Sequence, residues 1–412
     1  MTGKDDRIID ITNDVKWIGI LDYDIRSFDI VMSTDHGTTY NSYFINAEKK
    51  AIIDVAKEKF SETYMKKLMS VTNPAEIKYI ILNHTEPDHS GSLKHILKLA
   101  PEATVVGSGN AIRYLEDILN IPFRSQTVKD GDIIDLGNKT LKFIAAPNLH
   151  WPDSIYTYLE QDRILFTCDS FGAHYCSYGM EDDLTEEYLE AHRYYFDLIL
   201  RPFSRFMTRA IDRIRPLDIR FICPGHGPIL EKNREHIVSL TEKYANQYIQ
   251  ATGVKEKKRI MIAYVSAYGY TKKAAGIIAS AINGSSDFIV DVIDIEEMGA
   301  GEMESSLIAS DALLIGSPTI NQNTLLPVYK LLSVVNPIRD KGKLAGAFGS
   351  YGWSGEAPGI IIEALRNLKL KIFEENAAFK FQPEGLKVEM LKAYGVKFAV
   401  KLDEECHKKE GG

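Results

Sequence analysis

The sequence predicts two domains, a mixed α+β domain over residues 1–253 and an α/β domain with a doubly wound parallel sheet over residues 254–412. From Ile260 onwards strands and helices alternate, an order that places helices on both faces of a parallel sheet. Before that point, short β-like runs separated by turns come first, and further strands and helices follow. The segment 251–259 is polar and rich in lysine, and we interpret it as the linker.

The composition indicates a globular protein without a nucleic-acid or membrane partner. A chain of 412 residues is long enough for two or three cores, and its net charge of -8 disfavours nucleic acid. No apolar run approaches the roughly 18 residues of a membrane span, and the first residues lack the apolar core of a signal peptide. The four cysteines are scattered and form no pair motif, so we expect a cytoplasmic protein.

In the first domain, the residues up to about 70 predict an antiparallel meander or the edge of a sandwich, with β-like runs at 17–21, 28–32, 42–44 and 51–54. Apolar runs predict further strands at 77–82, 104–107, 141–146, 164–167 and 219–222. Helical spacing predicts helices at 92–99, 110–119 and 185–200.

In the second domain, five apolar runs predict the parallel strands, at 260–265, 288–293, 312–315, 344–348 and 371–373. The helices between and after them are predicted at 272–282, near 328–334, at 357–368 and at 385–402.

Two imidazoles and two carboxylates crowd the loop that follows the strand at 77–82. They belong to His84, Glu86, Asp88 and His89. Imidazole and carboxylate together suit first-row transition metals such as iron, zinc or manganese. Neighbouring side chains diverge from the backbone, so four ligands this close are expected to divide between two adjacent ions. Taken alone, the loop is equally compatible with a polar, solvated turn.

Three later strands each run into a loop that carries one more candidate ligand. His150 follows the strand at 141–146, Asp169 follows the strand at 164–167, and His226 follows the strand at 219–222. Loops at one edge of a sheet are where sites are assembled on a rigid scaffold. Seven nitrogen and oxygen ligands suit two metal ions that share one bridging carboxylate, which favours the metal site over the solvated turn.

Three strand ends of the second domain predict a phosphate and ring-binding site. The first strand runs into a hydroxyl-rich loop and a helix N-terminus, which together cradle a phosphate: Ser266, Ala267, Tyr268, Gly269, Tyr270 and Thr271. No Gly-x-Gly-x-x-Gly pattern supports a dinucleotide. Two later loops lie where ligands bind in parallel sheets, one with Pro318, Thr319, Ile320 and Asn321, the other with Ser350, Tyr351, Gly352, Trp353, Ser354 and Gly355. Ordinary βα turns are the alternative, but a loop set of this kind resembles flavodoxin, which binds FMN.

The first domain resembles the metallo-β-lactamase fold, an αββα sandwich whose first loop normally reads His-x-His-x-Asp-His and binds zinc. This chain has Glu86 where those hydrolases carry their second histidine, and an additional hard carboxylate favours iron. Followed by a flavodoxin-like domain, the pattern resembles the flavodiiron proteins. The resemblance implies that one iron is held by His84, Glu86 and His150, the other by Asp88, His89 and His226, and that Asp169 bridges them.

The resemblance further implies an oxidoreductase in which FMN passes electrons to a non-haem diiron site that reduces dioxygen to water, nitric oxide to nitrous oxide, or both. It implies a separate electron donor, rubredoxin or a reduced deazaflavin coenzyme. It also implies a head-to-tail homodimer or a dimer of dimers, in which the FMN of one chain faces the irons of the other. The alternative is a zinc-dependent hydrolase with a flavodoxin-like accessory domain. The sequence leaves open whether His174 and Tyr195 line the metal pocket or pack in the core.

Overall fold

The computed structural model describes residues 7–28, 32–253, 257–375 and 377–410. The chain divides into two units, Met1–Ile249 and Gln250–Gly412. The boundary predicted between residues 253 and 254 adjoins residues 254–256, which lie outside the described ranges, and it stays a prediction. No helix in the described part of the chain combines the length and the apolar character needed to span a membrane.

The strands of the first unit are mostly short. In chain order they are β1 Ile9–Asp10, β2 Val15–Trp17, β3 Ile20–Asp22, β4 Ser27–Phe28, β5 Met32–Ser33, β6 Thr38–Tyr40, β7 Tyr43–Ile45, β8 Lys50–Ile53, β9 Ile77–Ile81, β10 Thr104–Gly107, β11 Arg124–Thr127, β12 Ile133–Asp135, β13 Thr140–Ala145, β14 Ile155–Leu159, β15 Ile164–Cys168 and β16 Phe221–Pro224. The helices are α1 Ser61–Val71, α2 Pro87–Ser90, α3 Leu93–Leu99, α4 Gly109–Leu119, α5 Glu186–Tyr195, α6 Ser204–Ile214 and α7 Arg234–Thr252.

Two sheets of the first unit pack face to face. Within the described residues, one has the order β1-β2-β7-β8-β9-β10-β11 and the other β12-β13-β14-β15-β16. Buried side chains from both sheets, among them Trp17, Tyr43 and Phe166, form one core between them. A second core joins the outer faces to the helices, through residues such as Leu115 and Met207. Each sheet therefore buries both faces, and the αββα sandwich predicted from the resemblance is confirmed.

The second unit is a parallel sheet. Its strands are β17 Arg259–Tyr264, β18 Ile289–Asp294, β19 Ala312–Gly316, β20 Leu344–Tyr351, β21 Lys371–Ile372 and β22 Ala377–Lys380, and its helices are α8 Tyr270–Asn283, α9 Ala300–Ala309, α10 Leu326–Ser333, α11 Ala357–Asn367 and α12 Leu386–Glu410. The strand order is β18-β17-β19-β20-β21, and β22 also pairs with β20. One core holds α8 and α12 against the sheet, and another holds α9, α10 and α11. Helices cover both faces, so the predicted doubly wound, flavodoxin-like sheet is confirmed.

The antiparallel sandwich edge predicted for the start of the chain is confirmed, because β1, β2, β7 and β8 pair antiparallel at one edge of the larger sheet, but two of the predicted runs differ in detail. The run at 17–21 is broken into β2 and β3, because Gly19 passes against the backbone of Tyr40, where a Cβ would lie 2.4 Å from the carbonyl oxygen. Strand β3 then pairs with β6 outside the main sheet. At the run 28–32, β4 and β5 pair antiparallel, and residues 29–31 lie outside the described ranges.

Other bounds also differ from the predictions. The strand predicted at 219–222 is shifted to Phe221–Pro224. The predicted linker 251–259 is shorter, because α7 continues to Thr252 and β17 begins at Arg259, with 254–256 outside the described residues. The predicted helix at 185–200 is α5 followed by the π-helical turn Phe196–Leu200. Several elements were not predicted, among them α1, α6, α7, α9, β11, β12, β14 and β22.

Candidate metal centre

Loops at one end of the sandwich carry the seven candidate ligands. His84 and Glu86 follow β9, and α2 supplies Asp88 and His89 from the same loop. The other three follow β13, β15 and β16, which belong to the second sheet: His150, Asp169 and His226. The site therefore lies across the ends of both sheets, and the structure brings all seven side chains together.

The side chains of His84, Glu86, His150 and Asp169 form a first group, whose donor atoms surround one point. The carboxylate oxygen Oε2 of Glu86 lies 3.2 Å from Nε2 of His84 and 3.0 Å from Nε2 of His150. Oδ2 of Asp169 lies 3.6 Å and 3.5 Å from the same two nitrogens. All four donor atoms lie within 4.8 Å of one another, a spacing that suits coordination of one ion.

The side chains of Asp88, His89 and His226 form a second group, whose donor atoms surround a neighbouring point. Oδ2 of Asp88 lies 3.1 Å from Nε2 of His226 and 3.4 Å from Nε2 of His89. Oδ1 of Asp169 lies 3.1 Å from Nε2 of His89 and 3.6 Å from Nε2 of His226. Asp169 thus turns one oxygen towards each group, which is the geometry of a bridging carboxylate.

The second nitrogen of two imidazoles is held by an acceptor outside the groups. Nδ1 of His226 donates to the backbone oxygen of Thr39 at 2.6 Å. Nδ1 of His84 lies 3.1 Å from Oδ1 of Asp153, whose Oδ2 also accepts from the backbone N–H and hydroxyl of Thr85 at 2.8 and 2.7 Å. Because these acceptors keep the proton on Nδ1, the Nε2 lone pair of each ring faces the site. Asp153 was not identified from the sequence.

The donor set fits two divalent or trivalent cations. Three carboxylates and four imidazoles converge, and Oδ1 of Asp88 and Oδ2 of Asp169 are buried without a hydrogen-bond partner among the described residues. Burying unpaired polar atoms of this kind is costly unless a ligand satisfies them. A metal ion in the first group would satisfy Oδ2 of Asp169, which lies 3.6 and 3.5 Å from Nε2 of His84 and His150.

The local electrostatics favour ionised carboxylates. Burial alone would raise the pKa of Glu86, but the imidazoles of His150 and His84 beside its carboxylate outweigh the burial and lower that pKa to about 2. Burial likewise opposes ionisation of Asp169, and the charge of His89 overcomes it, holding the pKa of that carboxyl well below its usual range. Both carboxylates are therefore available as anionic ligands at neutral pH.

The centre is closed on one side and reaches the surface on the other. The side chains of Glu86 and His150 are 18% and 22% exposed, whereas that of Asp169 is 3% exposed. On the closed side lie the two residues whose roles were open. The ring of His174 packs on His226 with centroids 5.0 Å apart, and the hydroxyl of Tyr195 donates to Oδ1 of Asp169 at 3.1 Å.

The loops predicted to bind FMN meet at the carboxyl edge of the parallel sheet. The hydroxyl oxygens of Thr271 and Ser350 lie 3.0 Å apart, which joins the first loop to the third. The hydroxyl of Thr319, in the second loop, accepts from the backbone N–H of Ala357 at 3.1 Å. Hydroxyls beside the N-terminus of α8 fit a phosphate.

Two aromatic rings of these loops are left largely in solvent. Tyr268 is 81% exposed and Trp353 is 78% exposed. Exposed rings beside a phosphate cradle fit the stacking of a planar cofactor. The residues present therefore fit FMN.

Comparisons with known proteins agree with both halves of this description. The family model for ODP family beta-lactamases matches residues 38–227, and the model for flavodoxin matches residues 262–394. A flavo-diiron protein of Clostridium acetobutylicum is 38% identical over 400 residues, covering 95% of this chain and 98% of the relative.

Two further proteins match over nearly their whole length. A nitric oxide reductase of Moorella thermoacetica is 34% identical over 401 residues, covering 95% of this chain and 98% of the relative. The solved structure of a rubredoxin:oxygen oxidoreductase from Desulfovibrio gigas has a TM-score of 0.68 and 25% identity, covering 97% of this chain and all of the other. With this two-domain match and the doubled ligand set, the chain belongs to the flavodiiron protein family.

Proposed function

We propose that this chain is a flavodiiron oxidoreductase that reduces dioxygen to water or nitric oxide to nitrous oxide, with electrons received through FMN. The observation that carries the proposal is the doubled donor set, in which Asp169 offers one oxygen to each of two ligand groups. When bound, FMN supplies the exchange of one or two electrons, whereas the two irons supply redox chemistry at adjacent positions.

The seven side chains are proposed as ligands in two groups. His84, Glu86 and His150 would hold one ion, and Asp88, His89 and His226 would hold the other. The part of Asp169 is to fix the separation of the two ions.

Glu86 separates this proposal from the zinc hydrolase alternative. Its carboxylate occupies the centre of the first group, 3.0 Å from the nearest imidazole nitrogen of His150. A carboxylate is a harder ligand than the imidazole that zinc hydrolases of this fold carry there, and it stabilises the higher charge of oxidised iron. The hydrolase alternative is therefore not favoured.

The names of the relatives support both gases and one class of donor. The Moorella relative is named for nitric oxide and the Desulfovibrio structure for rubredoxin and oxygen. We take rubredoxin as the proposed donor, and a reduced deazaflavin coenzyme as the alternative. The proposed location is the cytoplasm.

A head-to-tail homodimer, alone or paired into a tetramer, is proposed to bring flavin and metal together. The exposed edge of the centre, at Glu86 and His150, is where the flavin of a second chain would approach. A two-fold axis makes both contacts at once. The domains proposed to exchange these contacts are residues 1–253 and 254–412.

The decisive experiment is anaerobic mixing of the reduced, iron- and FMN-loaded protein with each gas in turn. The expected result is flavin oxidation together with formation of water or nitrous oxide, in a yellow protein that contains two irons per chain. A protein that binds zinc in preference to iron, or that leaves both gases unreduced while fully loaded, would overturn the proposal.

A further inference from the structure

A cavity of about 300 Å³ lies beside the closed side of the metal centre, between the segment at 33–36 and helix α5. Its lining includes Asp35, His36 and Glu190, all exposed, and His174 and Tyr195, both buried. The cavity thus connects titratable groups at the surface with side chains that touch the ligand groups.

The inner end of the cavity is lined by two side chains, His174 and Tyr195, that contact proposed ligands. The hydroxyl of Tyr195 donates to Oδ1 of Asp169 at 3.1 Å. Nδ1 of His174 lies 2.8 Å from the hydroxyl of Thr38, and the ring is only 5% exposed. Its Nε2 has no hydrogen-bond partner among the described residues. A buried polar nitrogen left in this state is costly, so it requires a partner such as water in the cavity.

Three acid–base side chains from two separate segments lie at the outer end of the cavity, which we call its mouth. Asp35 accepts a hydrogen bond from the hydroxyl of Ser33 at 2.7 Å. His36 packs against the ring of Tyr175 with centroids 5.6 Å apart, and Glu190 of α5 lines the cavity. None of the three is a proposed ligand.

The volume and the polar lining suit a chain of water molecules. A water molecule takes a share of about 30 Å³ in the liquid and needs two or more polar partners. The hydroxyl, imidazole and carboxylate groups along the wall provide those partners, so the cavity has room for several waters.

We propose that this cavity is the path by which protons reach the metal centre, with Asp35, His36 and Glu190 collecting them at its mouth. The inference rests on the proposed function. Reducing one dioxygen to two waters consumes four electrons and four protons, and converting two nitric oxides to nitrous oxide and one water consumes two of each. The flavin supplies the electrons, and bulk water supplies the protons, which must enter a buried site.

The proposed proton path and the proposed flavin contact lie at different parts of the metal centre. The edge formed by Glu86 and His150 is open to the surface and is proposed to receive the flavin. Neither Glu86 nor His150 lines the cavity at His174 and Tyr195, so a flavin at that edge would leave the cavity open.

The test removes the acid–base groups from the mouth of the loaded, full-length protein. The triple variant Asp35→Asn, His36→Gln, Glu190→Gln is compared with the unsubstituted protein by stopped flow with a pH-indicator dye. Proton uptake that accompanies reduction of the metal centre, measured with no gas present and after subtracting the protons taken up by the flavin itself, is expected to slow about 100-fold, the low end of what positioned acid–base groups contribute. Gas reduction should slow equally and show a larger solvent deuterium isotope effect. Iron and FMN contents should not change, because the three residues are exposed.

Two controls distinguish proton transfer from structural damage. Glu187→Gln removes another exposed carboxylate of α5 that does not line the cavity, and should leave both rates unchanged. Glu190→Asp in the otherwise unsubstituted protein keeps an acid at the mouth and should retain most of the rate. Equal proton-uptake rates in the triple variant and the unsubstituted protein would overturn the path. An unsubstituted protein that takes up protons on reduction but reduces neither gas would overturn the proposed function instead.

Discussion

Replacing Asp153 by asparagine is expected to weaken iron binding without removing any ligand. In the structure, Oδ2 of Asp153 accepts two hydrogen bonds from Thr85, and Oδ1 lies 3.1 Å from Nδ1 of His84. The amide oxygen of asparagine must take the position that accepts from Thr85. Its NH₂ group then faces Nδ1 of His84, which has to become an acceptor.

The size of the effect follows from the imidazole tautomer. When Nδ1 of His84 accepts a hydrogen bond, the proton of the neutral ring moves to Nε2. That atom lies 3.2 Å from Oε2 of Glu86 and 3.6 Å from Oδ2 of Asp169, on the side of the proposed ion. Loss of such an orienting partner typically lowers metal affinity about 10- to 100-fold. This corresponds to about 1.4–2.8 kcal/mol.

The assay is competition for iron between the protein and a chelator of known affinity, at fixed pH, together with the FMN content of the same sample. Iron affinity should fall while FMN stays bound, because the flavin loops belong to the other unit. Asp162→Asn is the matched control. It alters another largely buried carboxylate, 2.6 Å from Nζ of Lys139 and with no part in the ligand groups, and should leave iron affinity unchanged. An iron affinity within about twofold of the unsubstituted protein would refute the tautomer argument.

Four further outcomes are expected. Asp169→Ala should lose most of the iron and keep FMN, measured by metal analysis and the flavin spectrum, since it removes the oxygen shared by both groups; full iron would contradict the bridge. Glu86→His should lower the ratio of bound iron to zinc after expression in mixed metals, and an unchanged ratio would count against the role of the carboxylate. Burial opposes the ionisation of Asp340, but hydrogen bonds from Arg339 outweigh it and lower its pKa. The resulting stabilisation of the folded state is present above the pKa of about 3.9 that the group has in the unfolded chain, and it is lost as the pH falls through the lower pKa of the folded state. Asp340→Asn should therefore make the thermal-unfolding temperature fall less steeply with decreasing pH. An unaltered dependence on pH would argue against this role of Asp340. Finally, two inactive chains can be mixed under conditions that allow subunit exchange: the metal-deficient Asp169→Ala chain and a chain disrupted at 266–271. If electrons cross between chains, the mixture should regain gas reduction. Confirmed exchange without recovery would exclude that arrangement.

Much of the architecture was predictable because it depends on local patterns. The alternation of strands and helices after Arg259 requires a parallel sheet with two covered faces, whatever the details of packing. The strand β9 and the loop holding His84 and Glu86 are adjacent in the chain, so the sequence identified a candidate metal loop, and the three ligands that follow later strands favoured two metal ions over a solvated turn. Prediction failed where a strand changes partner. Gly19 lets the chain pass close to Tyr40 and leave the main sheet. The pattern of hydrophobic residues does not indicate that a strand will change its pairing partner in this way.

The sequence by itself determined the type of each proposed ligand and the order in which ligands follow strands, because both are properties of short segments. Only the tertiary structure decided how those ligands are oriented and how the site is reached. Asp153 and Thr39 orient His84 and His226 across separations of 69 and 187 residues. The cavity ending at Tyr195 likewise joins distant segments. Contacts of this kind arise when two sheets and their helices pack together, and the free energy that selects them is spread over the whole core.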